Sequence, residues 1–135
     1  MRPSPINCIP GLLHHLSVPR LTDPFSIINR YNGSDWKHYN VSYPMTLFRN
    51  DYLELIISNW RKGKHDLYYN NYSSVCTKVL GGSFNVTETD GKTTAITQFS
   101  LCRGDVYTSK PFSKIFLLSV EPSTTLEMIQ YHHMY

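Results

Sequence analysis

The chain has 135 residues, with 13 Lys and Arg against 10 Asp and Glu for a formal charge of +3, and 41% of its side chains are hydrophobic. A chain of this length forms one domain that buries about two-thirds of its unfolded surface, so it needs neither disulfide nor metal to hold a core. With 10 Tyr, 6 Phe and 2 Trp and only 17% charged residues, the composition excludes a disordered tail and a polybasic nucleic-acid arm.

Five of the eight prolines (Pro3, Pro5, Pro10, Pro19, Pro24) fall in the first 24 residues. Each removes an amide donor and fixes φ, so residues 1–24 are expected to form an irregular arm with at most a helical turn over Leu12 to Leu16. The apolar stretch Ile9 to Leu16 is short and interrupted by Pro10, His14 and His15, and no export signal is expected from it. Asp23 is placed to cap a helix with Pro24 at its first position. Ile27, Ile28 and Tyr31 then recur at helical spacing until Asn32-Gly33. A second short helix is predicted for Ser34 to Tyr39, starting from a Ser cap and carrying Trp36.

Beyond Val41 the pattern turns to β. Tyr52 to Trp60 and Val75 to Leu80 are strand-like, and Gly81-Gly82 punctuates them. Ser83 to Thr89, the turn Asp90-Gly91 and Thr93 to Phe99 have the spacing of a hairpin. Arg103-Gly104-Asp105 precedes Val106 to Thr108, Ile115 to Val120 follows the Lys110-Pro111 break, and Leu126 to Tyr131 comes last. Short strands after an N-terminal helical piece predict a mainly β fold, a small antiparallel barrel or a sandwich such as a jelly roll, with short N-terminal helices at one end. Cys8, Cys76 and Cys102 lack C-x-x-C spacing and are expected to be reduced, with Cys76 and Cys102 in the core. The longest apolar runs, Leu53 to Ile57 and Ile115 to Val120, fall far short of the roughly 20 residues that span a bilayer. An intracellular, cytoplasmic protein without signal peptide or membrane span is expected, which makes the Asn-x-Ser/Thr triplets at Asn32, Asn40, Asn71 and Asn85 chance matches.

Asp35-Trp36-x-x-Tyr39, then Leu47-Phe48-Arg49-Asn50-Asp51-x-Leu53-Glu54-Leu55, then Trp60 and Lys78-Val79-Leu80-x-Gly82 resemble, in order and spacing, the cysteine dioxygenase family of cupins. Tyr131, after an apolar strand, sits much as the family's cross-linked tyrosine does. The resemblance covers residues 25–135 and implies a cupin barrel; its members oxidise a thiol with O2 on a non-haem Fe(II). The first cupin motif reads G-x5-H-x-H-x3-4-E-x6-G, with Cys in place of Glu in mammalian-type members. Started at Gly63, that frame lands on Tyr69, Asn71, Val75 and Gly82, so the glycine turns are kept and the histidine ligands are not. The third ligand belongs near Ser113, and no histidine occurs between His65 and His132. The thioether cysteine position is Val75, with Cys76 one residue away on the other strand face. The Tyr-Thr-Arg triplet that carries the family's substrate anchor is Tyr43-Pro44-Met45 here, and Arg49 falls in a different part of the motif.

Phenol, amide and hydroxyl groups are poor Fe(II) ligands. The resemblance therefore implies a catalytically dead relative without cofactor, acting as a structural or protein-interaction subunit. A protein partner or a homo-oligomer formed through its tyrosine-rich loops is expected, and no membrane. The alternative is an active iron thiol dioxygenase with a rearranged site drawn from His65, Asp66 and His132 or His133. A third reading takes Arg61, Lys62 and Lys64 with Tyr68, Tyr69 and Tyr72 as a single-strand nucleic-acid platform. Without an RNP-type motif or a wider basic face, this run reads as a solvated loop, and nucleic acid is not the expected partner.

Overall fold

The computed structural model describes residues 4–17, 24–40, 44–69, 73–109 and 112–131. The Asp23 cap, Tyr43, Asn71, Tyr72, the Lys110-Pro111 break, His132 and His133 lie outside the described residues.

The segment expected to be an irregular arm holds a helix, α1 (Ile9–Leu16). Pro10 sits in its first turn, where the missing amide costs no intrahelical bond, and Gly11 N donates to Cys8 Sγ at 3.3 Å. Ile9, Leu12 and Leu16 lie on one face and are fully or almost fully buried, so tertiary burial overrides the proline count. α2 (Pro24–Arg30) follows as expected. The second predicted helix is only a 3-10 turn, Asp35–His38, and Ser34 makes no side-chain cap. The Asp35 carboxylate instead accepts Ile9 N at 2.7 Å and Tyr31 Oη at 2.5 Å, serving the orphan donors at the start of α1 from a distance in sequence.

Among the described residues nine strands follow: β1 (Met45–Arg49), β2 (Leu53–Trp60), β3 (His65–Tyr69), β4 (Ser73–Gly81), β5 (Ser83–Thr89), β6 (Ile96–Cys102), β7 (Val106–Thr108), β8 (Lys114–Ser119) and β9 (Ser123–Tyr131). They form two antiparallel sheets, β1-β2-β9-β4-β7 and β3-β8-β5-β6. The fold is mainly β, two sheets of jelly-roll kind with short N-terminal helices.

The first sheet is covered on both faces. Leu55, Ile57, Cys76, Leu80, Leu126 and Met128 pack under Ile9, Leu12, Leu16, Ile27 and Ile28 of the helices. On its other face Trp60, Val79 and Tyr107 meet Phe84, Val86, Leu101, Ile115 and Leu117 of the second sheet. Strand alternation therefore sends Cys76 to the helices and Val75 to the barrel interior. Cys8, Cys76 and Cys102 are free thiols, but Cys102 is exposed, not in the core. On β6 only Phe99 and Leu101 turn inward, and Cys102 falls on the opposite parity.

The hairpin forms with its second arm starting at Ile96 rather than Thr93. Asp90 Oδ1 accepts Lys92 N at 2.7 Å, Asp90 O accepts Thr94 N at 2.9 Å, and Thr94 takes a φ of 59°. This Asx-type turn uses up the residues that alternation would have given to the strand. β3 has no apolar alternation because it is an edge strand whose one aliphatic residue, Leu67, faces outward and is 65% exposed. No helix of the described residues is long and apolar enough to cross a membrane.

Candidate functional site in the barrel interior

Antiparallel register places Ile56, Glu127, Thr77 and Tyr107 in one cross-strand row on the inner face of the first sheet. The facing row of the second sheet holds Tyr68, Ile115 and Glu88. One end of the interior is apolar, around Trp60, Val79, Phe84, Leu101 and Leu117. The other end gathers polar groups, and they are unequally satisfied. Tyr107 Oη donates to Glu88 Oε2 at 2.5 Å, while at the apolar end Trp60 Nε1 donates to Thr125 Oγ1 at 3.0 Å. Tyr68 Oη, Thr77 Oγ1 and Ser113 Oγ are buried without hydrogen-bond partners. Native interiors leave few such groups. Glu127 carries no hydrogen bond or ion pair among the described residues.

A cavity of about 340 Å³ opens onto Glu127, lined also by Ile56, Ser58 and Trp60 and by the exposed residues Pro44, Lys64, His65 and Asp66. Burial, then the neighbouring charges of Asp66 and Glu54, push the Glu127 carboxyl up to about 7. Burial, then the Glu127 charge, raises the Tyr68 phenol above its ordinary range, while the Ser109 hydroxyl works the other way. Burial and the bond to Glu88 raise Tyr107 likewise. Lys64 Nζ stands 5.5 Å from the centre of the Trp60 ring, a cation–π distance.

The residues singled out by sequence fall in several places. Ser113 is completely buried. Val75 pairs with Ile129 and Tyr131 with Ser73, so Val75 and Tyr131 are not opposite one another; Tyr131 is 39% exposed beside Glu54. Arg49 forms an exposed ion pair with Glu54 at 3.4 Å. Tyr69 pairs through its backbone with Lys114. The neighbouring side chain that enters the barrel is Tyr68. Arg61, Lys62 and Lys64 lie exposed around the turn before β3, whereas Tyr68 packs against the interior cluster. His65 stacks on Phe116 of the outer face, ring centres 5.4 Å apart, and Asp66 has the opposite parity. Among the described residues no three His, Cys, Asp or Glu side chains are grouped to hold a metal.

Sequence reading passes over Glu127, Thr77 and Glu88. The available signal was a single acid within Leu126-Glu127-Met128-Ile129, a charge on a central strand whose two faces are both covered.

A second cavity, about 380 Å³, lies outside the barrel between α2 and β4. Its buried Lys78 donates to Asn29 O at 2.9 Å and Tyr31 O at 2.6 Å, tying the end of α2 to the sheet. Burial lowers the Lys78 ammonium below its ordinary value.

No family model and no curated protein matches the chain. Solved structures do resemble it. BH2720 of Bacillus halodurans superposes with a TM-score of 0.65 at 11% identity, covering 88% of this chain and 86% of that one. DSY2733, a cupin superfamily protein of Desulfitobacterium hafniense, gives 0.59 at 13% identity over 85% and 94%. The cupin domain of Schizosaccharomyces pombe Cnp3 gives 0.58 at 12% identity over 66% of this chain. The match spans 64% of that Cnp3 chain, less than two-thirds of its length. The architecture is a cupin fold.

Proposed function

We propose that this chain is a non-catalytic, cysteine-dioxygenase-like cupin that serves as a structural or protein-interaction subunit. The observation that carries the reading is Ser113. The resemblance puts a third metal-binding imidazole near that position, and the structure has a fully buried hydroxyl there. The resemblance puts the cross-linking cysteine's position at Val75, and Tyr68, not an imidazole, projects inward from β3. A hydroxyl and a phenol raised above its ordinary range bind Fe(II) poorly at neutral pH. The fold keeps its stability without metal because two apolar clusters hold it. The alternative centre from His65 and Asp66 is disfavoured by strand parity, which sends the two side chains to opposite faces.

The test is elemental analysis of the full chain expressed in iron-supplemented medium, with O2 uptake measured on added cysteine. Substoichiometric iron and no uptake above background are expected. Stoichiometric iron with turnover would overturn the reading in favour of a rearranged dioxygenase.

A further inference from the structure

We propose that the barrel interior is a binding site for a small organic ammonium ion, with Glu127 holding the cationic head and Trp60, Ile56 and Pro44 enclosing an apolar body. Three independent observations point there. Among the described residues Glu127 has no hydrogen-bond or ion-pair partner, and it lines a cavity of about 340 Å³, which is the lower end of the range that holds small ligands. Beside it on the same sheet face, Thr77 is only 2% exposed and its hydroxyl has no acceptor or donor. Tyr68 Oη, buried with no partner beyond the neighbouring Ser109 hydroxyl, comes from the facing sheet close enough for the Glu127 charge to act on it. An ammonium group brings several N–H donors, the complement of a carboxylate that has the Thr77 hydroxyl beside it on the neighbouring strand and the Tyr68 hydroxyl in the facing row.

The wall has the same preference. Trp60 presents its ring to the cavity, and the structure already places a cation over that ring, the Lys64 ammonium. Lys64 lies exposed at the rim on a flexible stem, so a ligand cation competes with it for the indole. The charged and titratable groups facing Glu127 are Asp66 and Tyr68 from β3 and Glu54 from β2, with Lys64 at the rim and the His65 ring turned to the outer face. The acids outnumber the cations there, and an anionic ligand would meet them unpaired.

This inference concerns a different activity from the subunit role, and the two fail separately if iron content is measured on the same samples. The experiment is calorimetric titration of the full chain at pH 8 with 2-phenylethylammonium and, as the isosteric anion, 3-phenylpropionate. Saturable binding of the ammonium and none of the carboxylate is expected. Glu127→Gln, which keeps the shape of the side chain, should weaken ammonium binding at least tenfold while its melting temperature stays at or above that of the parent. Lys64→Gln should tighten it, since the competing cation is gone. Absence of ammonium binding, preferential binding of the carboxylate, or an unchanged affinity in Glu127→Gln would each overturn the proposal.

Discussion

Glu127 is an acid whose folded-state carboxyl lies above its unfolded value, about 7 against 4.5, and the sign of its contribution follows from proton binding. Between those two values the native state binds more protons than the unfolded chain, so stability from this group is complete below about pH 4.5 and lost as pH rises through about 7. The loss is on the order of 3 kcal/mol at most, because the cavity lets water reach the carboxyl. Chemical denaturation of Glu127→Gln should lack this fall between pH 5 and pH 8, and at pH 8 the variant should be the more stable protein. An identical pH slope in both proteins would show that the carboxyl is not desolvated. Gly82 is a second residue whose environment fixes its identity. It has a φ of +84°, and a Cβ there would lie 2.0 Å from Ser123 Oγ and 2.7 Å from Pro122 O. Gly82→Ala combines left-handed strain with a backbone clash and should cost at least about 3 kcal/mol in urea unfolding. The glycine was legible as the end of a motif, and its positive φ agrees with that reading. Glu127 was not, because its meaning depends on which strands flank β9, and strand neighbours such as β2 and β4 are set by long-range pairing that leaves no local mark.

The elements divide along the same line. β2, β5, β8 and β9 were legible because alternation or continuous apolarity survives in strands with one or two buried faces. β3 was not, since an edge strand with one aliphatic side chain has no such pattern. α1 was hidden by prolines, although Ile9, Leu12 and Leu16 carry the spacing of an amphipathic helix. Its role is to cover the outer face of the first sheet, where Leu12 is completely buried. Leu12→Ala should therefore cost about 2–5 kcal/mol, the range for a truncated core leucine, whereas an irregular surface arm would tolerate it within about 0.5 kcal/mol. Thermal unfolding of the variant separates these outcomes. α2 is fastened by Lys78, whose ammonium donates to the carbonyls of Asn29 and Tyr31 near the helix C-terminus, where cations are favoured. Lys78→Met keeps most of the buried stem and removes those donors. It leaves two carbonyls unsatisfied and should lower stability by about 1–3 kcal/mol per orphaned group, with hydrogen exchange quickening first at the amides of α2.

At the scale of the whole molecule the two sheets are covered unequally. The first lies between the helices and the second sheet, while no helix among the described residues packs on the outer face of the second. That face presents Leu67 at 65% exposure, with Phe116 opposite it on β8 and His65 stacked on the same ring. Ile96, at 67% exposure, begins the edge strand on the far side. Apolar side chains gathered on a sheet whose two edges, among the described residues, have no further strand are what native monomers avoid, by placing charges or cover there. If the subunit role proposed above holds, this face offers it a physical seat, and Tyr68, turned into the barrel, does not. If copies of the chain associate through it, Leu67→Glu should shift the full chain to the monomer in sedimentation velocity without changing its melting temperature, because Leu67 contributes almost nothing to the core. A parent protein that sediments as a monomer at every concentration would remove self-association and leave a different protein as the partner of this face. A Leu67→Glu variant that unfolds would mean the face is packed, and that the exposure on which the argument stands is wrong.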